Sequence, residues 1–355
     1  MIEQRMARLY ELMTANRLDG IIVTKPENRH YFSGFTGSSG ILVLGRQSAK
    51  LLTDFRYIEQ AKQQAPQYQI IRHGSSIFTT LAETVQAAGL QRIGFESDFV
   101  TWDFYQNLTE NLANAELTPV RLDPLRMIKD RSELDLLGTA VEIADFAFNQ
   151  TIKIIKPGIS ELAIALELEY QMRKLGAEKP AFDTIVASGI RSALPHGRAS
   201  KKVIETGDFI TMDFGAVYEG YHSDMTRTVV VGKASAKQRE IYNIVLSAQL
   251  AGIHAVAAGK SGKEVDSVAR QVIINAGYGE FFGHGLGHGV GLFIHEEPRL
   301  SPTGEISLEP GMVVSVEPGI YLPDWGGVRI EDLVVISATG CSILTASSKD
   351  LIELD

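Results

Sequence analysis

Residues 207–215 read Gly-Asp-Phe-Ile-Thr-Met-Asp-Phe-Gly, and residues 311–319 read Gly-Met-Val-Val-Ser-Val-Glu-Pro-Gly. Glycine matches glycine at both ends, and Asp213 matches Glu317, at an offset of 104 residues. Upstream, Gly158-Ile-Ser160 opens a helical pattern that closes at Gly176. Gly259-Lys-Ser261 opens another that closes at Gly277, at an offset of 101 residues. Two separated blocks with nearly one offset mark an internal repeat. Each half reads helix, helix, strands. Two such halves are expected to join their strands in one curved antiparallel sheet backed by helices.

The chain ahead of the repeat reads differently. Gly20–Thr24, Ile41–Leu44, Leu51–Thr53, Gln69–Ile71 and Arg92–Phe95 have strand character, while Glu59–Gln64, Ile77–Ala88 and Trp102–Ala113 have helical character. This alternation predicts a smaller α/β domain over 1–125 with a mostly parallel or mixed sheet. Thr118–Lys129, with Pro119 and Pro124 and no clear period, is the expected boundary. Ser132-Glu133 then opens a helical stretch to about Ile155, and the second domain spans 126–355. At the start of the chain, Met6, Leu9, Leu12 and Met13 make one face of an amphipathic helix. Glu3, Arg5, Arg8 and Glu11 interrupt it, so it does not read as a signal peptide.

Composition excludes several function classes. The 355 residues are 45 % hydrophobic and 22 % charged, enough apolar content to bury a core. The net charge of −9 argues against a sequence-independent nucleic-acid binder and against an anionic-membrane binder. The lone Cys341 excludes a disulfide framework and a cysteine-rich metal site. A cytoplasmic protein with neither nucleic-acid nor membrane partners is expected.

The chemistry gathers where the repeat points. Asp213 and Glu317 are each followed by a second acid with strand-like flanks: Asp224 before Met-Thr226-Arg, and Glu331 after Val-Arg329-Ile. Four carboxylates on neighbouring strands cannot all ionise without a counter-charge, and divalent cations would supply it. His288 lies in Gly283-His284-Gly-Leu-Gly-His288-Gly, His295 follows in His295-Glu-Glu-Pro298, and His196 lies in Pro195-His196-Gly197. Strand period puts Arg329 on the face of Glu331, and Thr226 on the face of Asp224. Gly259-Lys260-Ser261 resembles the end of a P-loop, but His254 stands where that loop needs glycine.

In order and spacing, Asp213, Asp224, His288, Glu317 and Glu331 resemble the five-ligand site of the pita-bread metallopeptidases: methionine aminopeptidase, aminopeptidase P and prolidase. The run His-Gly-x-Gly-x-x-x-His-Glu-x-Pro, here His288 to Pro298, is a specific match. Asn28-x-x-Tyr31 with Gly34-Phe35, and Thr53-Asp-x-Arg56-Tyr57, resemble the creatinase, prolidase and aminopeptidase P branch, which carries the extra N-terminal domain. The resemblance implies an α+β chain with a C-terminal pita-bread fold. It implies two divalent metals per subunit, manganese first, with cobalt or zinc as alternatives, and Asp224 and Glu331 bridging. It further implies a metal-bridging hydroxide that attacks Xaa-Pro bonds of a proline-containing peptide, in a homodimer. Glu317 would be general base and then acid. His196 and His295 would bind the carbonyl and its oxyanion, His284 would line the proline pocket, and Arg329 would hold carboxylates. The competing reading is a catalytically inactive pita-bread module that binds peptides or proteins.

Overall fold

The computed structural model describes residues 2–355, and the chain divides into two compact units after Arg126. The first unit holds one six-stranded mixed sheet. Its strands are β1 (Gly20–Val23), β2 (Ile41–Gly45), β3 (Ser48–Thr53), β4 (Gln69–Arg72), β5 (Arg92–Glu96) and β6 (Glu116–Val120), in the order β4-β3-β2-β1-β5-β6. The helices are α1 (Ile2–Ala15), α2 (Pro26–Ser33), α3 (Ile58–Gln64), α4 (Ile77–Ala87) and α5 (Trp102–Asn111). On α1, Met6, Leu9 and Met13 are buried as their spacing predicts, and Leu12 is half-buried. Ile22, Val43, Leu52, Leu81, Ile93 and Leu108 pack into one core, each side chain contributing on the order of 2 kcal/mol.

Two readings of this unit need correction. Thr118–Val120 is not linker: it is the end of β6, paired parallel to β5. Pro119 sits there because an edge strand tolerates a missing N–H. The second omission is α2, which Pro26 opens and Gly34, at φ +80°, closes.

The second unit carries the repeat. Helices α6 (Arg131–Thr151) and α7 (Glu161–Lys174) belong to the first half, and α8 (Ala236–Ala255) and α9 (Gly262–Asn275) to the second. The helix α6 starts from an Asp130–Glu133 capping box rather than at Ser132. The second helices of the halves are both 14 residues long. Ser160 and Ser261 cap them, each hydroxyl accepting from an N–H three residues on. Gly176 and Gly277, at φ +100° and +86°, close them.

The first-half strands are β7 (Lys179–Pro180), β8 (Ile185–Ser188), β9 (Phe209–Phe214), β10 (Ala216–Tyr218), β11 (Tyr221–His222) and β12 (Met225–Val231). The second half adds β13 (Gly287–Gly289), β14 (Glu296–Leu300), β15 (Val313–Val316), β16 (Gly319–Leu322), β17 (Gly326–Arg329), β18 (Asp332–Ser337), β19 (Gly340–Ile343) and β20 (Glu353–Leu354). Their hydrogen bonding differs from a single ladder. One sheet runs β20-β12-β9-β8 and another β14-β13-β15-β18-β19, with β16-β17 and β11-β10-β7 apart. The pairing is antiparallel except for β12 with the C-terminal β20. Irregular bonds join the halves: Glu331 N–H donates to Thr226 O at 3.1 Å, and Arg329 N–H to Thr228 Oγ1 at 3.3 Å. The candidate carboxylates Asp224 and Glu331 flank this seam. Each half keeps its own core, one around Phe148, Leu168, Met212 and Phe214, the other around Val245, Ala269, Val314 and Val334.

Candidate metal centre

The four acids stand at strand ends rather than mid-strand. Asp213 is the penultimate residue of β9, Asp224 directly precedes β12, Glu317 directly follows β15, and Glu331 lies between β17 and β18. A strand end frees the side chain from the apolar packing on either face while the ladder still fixes its direction. His288 sits in β13 between glycines that the packing demands. A Cβ at Gly287 would stand 2.0 Å from Ser315 O, and one at Gly289 would stand 2.2 Å from Glu297 O.

Nine residues singled out from the sequence line one cavity of about 540 Å³: His196, Asp213, Asp224, His284, His288, His295, Glu317, Arg329 and Glu331; Thr226 lies buried behind it. Asp213, Asp224 and Glu331 each offer a carboxylate oxygen within 4.8 Å of the others. His288 Nε2 lies 3.3 Å from Glu317 Oε1 and 3.6 Å from Asp224 Oδ2.

Protonation sharpens this geometry. His288 Nδ1 lies 3.1 Å from the carbonyl oxygen of Gly289, which can only accept, so the ring proton sits on Nδ1. Burial and the neighbouring His295 lower its pKa to about 3, so the ring is neutral. Nε2 therefore turns a lone pair toward carboxylate oxygens, an arrangement a shared cation would hold together. Asp213 Oδ1 and Glu331 Oε1 are buried without a hydrogen-bond partner, although such oxygens are costly to leave unpaired. Burial, then Glu331, Asp213 and Glu317, push Asp224 well above the ordinary carboxylate range. Burial, then Glu317 and Asp213, do the same to Glu331, and burial lifts Glu317 to about 7. Oxygen donors with one imidazole suit hard or borderline divalent ions, so the residues fit metal.

Hydrogen bonds aim the donors. Ser315 Oγ accepts from His288 N–H at 3.0 Å and donates to Glu317 Oε1 at 2.9 Å. Thr226 Oγ1 donates to Glu331 Oε2 at 2.7 Å. Arg329, 3 % exposed, donates to Asp213 Oδ2 at 2.5 Å, Thr226 Oγ1 at 3.0 Å and Tyr321 Oη at 2.9 Å. It does not pair with Asp332, which Arg227 and Lys349 hold instead. Tyr321 lies 2.8 Å from His284 Nε2, and His284 Nδ1 lies 2.8 Å from Gly285 O. The donors run in one sense: Arg329 to Tyr321, Tyr321 to His284, His284 to Gly285. Burial, then Arg329, lowers His284 to about 4, keeping that ring neutral.

His196 and His295 face the open side of the cavity, where both are exposed. The His295 ring stands edge to face with His288 at 4.5 Å between centroids. Sequence reading missed Tyr321 and Ser315. It also missed Phe182, Asp183, Arg299 and Ser301 on the cavity wall. Arg198 is also on that wall, where its guanidinium pairs with Asp183 at 2.7 Å.

Both units match known protein families. The creatinase/prolidase N-terminal domain matches residues 5–128, and metallopeptidase family M24 matches residues 135–338. The structure of an Xaa-Pro dipeptidase from Bacillus anthracis is 48 % identical, with both chains fully covered and a TM-score of 0.97. An X-Pro aminopeptidase from Thermotoga maritima is 42 % identical over 95 % of this chain and 98 % of that one, with a TM-score of 0.90. The Xaa-Pro dipeptidase of Pyrococcus furiosus is 42 % identical over 99 % of this chain and 100 % of its own.

Proposed function

Because this chain belongs to metallopeptidase family M24, with a creatinase/prolidase N-terminal domain, we propose that it is a dinuclear metal-dependent exopeptidase hydrolysing Xaa-Pro peptide bonds. The observation that carries this is the convergence of unpaired lone pairs: Asp213 Oδ1, Glu331 Oε1 and His288 Nε2 all face one space. Asp224, His288, Glu317 and Glu331 would hold one ion, and Asp213, Asp224 and Glu331 the other. Manganese is our first choice, with cobalt or zinc as alternatives. Bound there, the pair would polarise the scissile carbonyl and lower the pKa of water.

The chain's own groups do the rest. Glu317 takes the proton from the attacking water and returns it to the departing proline nitrogen. Its position against His288 Nε2, with Ser315 Oγ fixing the same Oε1, supports that role. His196 and His295 donate hydrogen bonds to the substrate carbonyl and to the oxyanion that develops from it. The burial-lowered pKa of His295 supports a neutral imidazole in that role. His284, fixed by Tyr321 and Gly285, presents a ring wall to the proline, and Arg329 holds the carboxylate of Asp213.

We read residues 126–355 as the catalytic domain and 1–125 as the accessory one. The working form is read as a cytoplasmic homodimer, with the lone Cys341 suiting a reducing compartment. Among the described residues no helix is long and apolar enough to cross a membrane. The test is hydrolysis of an Xaa-Pro dipeptide, an Xaa-Pro-Pro tripeptide and an Xaa-Ala control by the metal-loaded protein. Cleavage confined to the proline peptides is expected, and the ratio of the first two separates dipeptidase from aminopeptidase. Equal cleavage of Xaa-Ala would overturn the assignment.

A further inference from the structure

We propose that Glu161 is a positioning residue: its carboxylate holds the segment 188–200 that presents His196 to the cavity. The proposal rests on the role given to His196 above. Glu161 is the first residue of α7, where an acid ordinarily faces water and the positive end of the helix. Here it is completely buried. Its Oε1 accepts from Ser188 N–H at 2.7 Å and Ser188 Oγ at 2.8 Å. Its Oε2 accepts from Ser200 N–H at 3.0 Å, from Ser200 Oγ at 2.7 Å and from Arg191 Nη1. Arg191 Nη2 then donates to Arg198 O at 2.8 Å. Both ends of the segment thus meet on one carboxylate, with His196 between them.

The opposite side of the segment is pinned as well. Ser192 Oγ accepts from Gly327 N–H at 2.8 Å, and Pro195 O accepts from Arg329 Nη1 at 3.2 Å. A Cβ at Gly327 would stand 2.5 Å from Ser192 O, so the approach to β17 is close. His196 itself has an exposed ring, and the backbone on either side of it carries its placement.

The second half of the repeat uses a related device, which is an independent reason to read this one as more than a local ion pair. On α9, Asp266 accepts from Leu286 N–H at 2.9 Å and holds Arg270 in a fork at 2.7 and 2.8 Å. Arg270 donates to Phe282 O at 2.9 Å and to His284 O at 2.7 Å. In each half, the second helix supplies a buried carboxylate paired with a guanidinium. That pair fixes the histidine-bearing segment ahead of the central strand.

The test is a double-mutant cycle on the full-length, metal-loaded protein: wild type, Glu161→Gln, His196→Ala and the double variant, assayed on an Xaa-Pro dipeptide. The amide that replaces the carboxylate would set an N–H against donors. Glu161→Gln is expected to lower kcat about 10- to 100-fold, the cost of misplacing a working group by about 1 Å. Metal content should stay unchanged, and amide exchange across 188–200 should quicken. In the His196→Ala background the same change should cost less than about threefold. Arg191→Met covers the case in which Glu161→Gln fails to fold, and should show the same dependence on His196 at smaller size. Equal losses in both backgrounds, or wild-type kcat in Glu161→Gln and Arg191→Met alike, would overturn the proposal. Wild-type kcat in His196→Ala alone would instead remove the role of His196 beneath it.

Discussion

Arg329 Nη2 lies 2.5 Å from Asp213 Oδ2, which makes a buried guanidinium the direct neighbour of a candidate metal ligand. The same side chain reaches Glu331 through the Thr226 hydroxyl. One fixed cation therefore orients two of four clustered acids, and the remaining negative charge is left for mobile cations. Burial opposes the charge on Arg329, but Tyr321, Asp213 and Glu317 hold it well above its ordinary range.

Removing that cation should hurt the metal-free protein most. Arg329→Met is expected to destabilise it by about 3 kcal/mol, since an uncompensated carboxylate stays buried. Manganese should restore most of the loss by neutralising the same acids. Thermal melts with and without metal check this, and an equal loss in both would count against it.

The Thr226 hydroxyl aims Glu331 rather than filling space. Thr226→Val keeps the shape and loses both hydrogen bonds. Metal affinity should fall about 10- to 100-fold, as for other groups that orient metal ligands. Competition against a chelating dye measures it, and unchanged affinity would contradict the assignment.

A separate prediction concerns acid stability of the first unit. Burial, then Arg5, lowers His30 to about 4 from its ordinary 6.5. The folded state thus binds fewer protons than the unfolded one between these values. The advantage of a neutral His30 is present above pH 6.5 and lost as pH falls toward 4, up to about 3 kcal/mol. Chemical denaturation from pH 7 to 4 should be shallower in its pH dependence for His30→Gln. Parallel curves would locate the effect elsewhere.

The repeat left a readable mark because it is one-dimensional. Glycines that close helices and acids that end central strands recur at nearly fixed offsets, which picks out Asp213 and Glu317. His288 was legible through its glycines, required by the contact with Ser315 and Glu297. Tyr321, Ser315 and Glu161 were not, because their partners lie on other elements and nothing local distinguishes them. Glu161 in particular looks like any first-turn acid until the 188–200 segment folds over it. Pro119 misled for a related reason: its tolerance depends on β6 being an edge, which only the sheet order reveals.

On the proposed function, the four carboxylates and His288 would hold two catalytic cations. The most direct measurement counts metal by plasma mass spectrometry and follows Xaa-Pro cleavage on the same samples. Two equivalents per chain are expected after manganese loading, with cleavage abolished by a chelator and restored by manganese or cobalt. Asp224→Ala should lose both bound metal and turnover. Full turnover in Asp224→Ala, or in protein stripped of metal, would contradict the account.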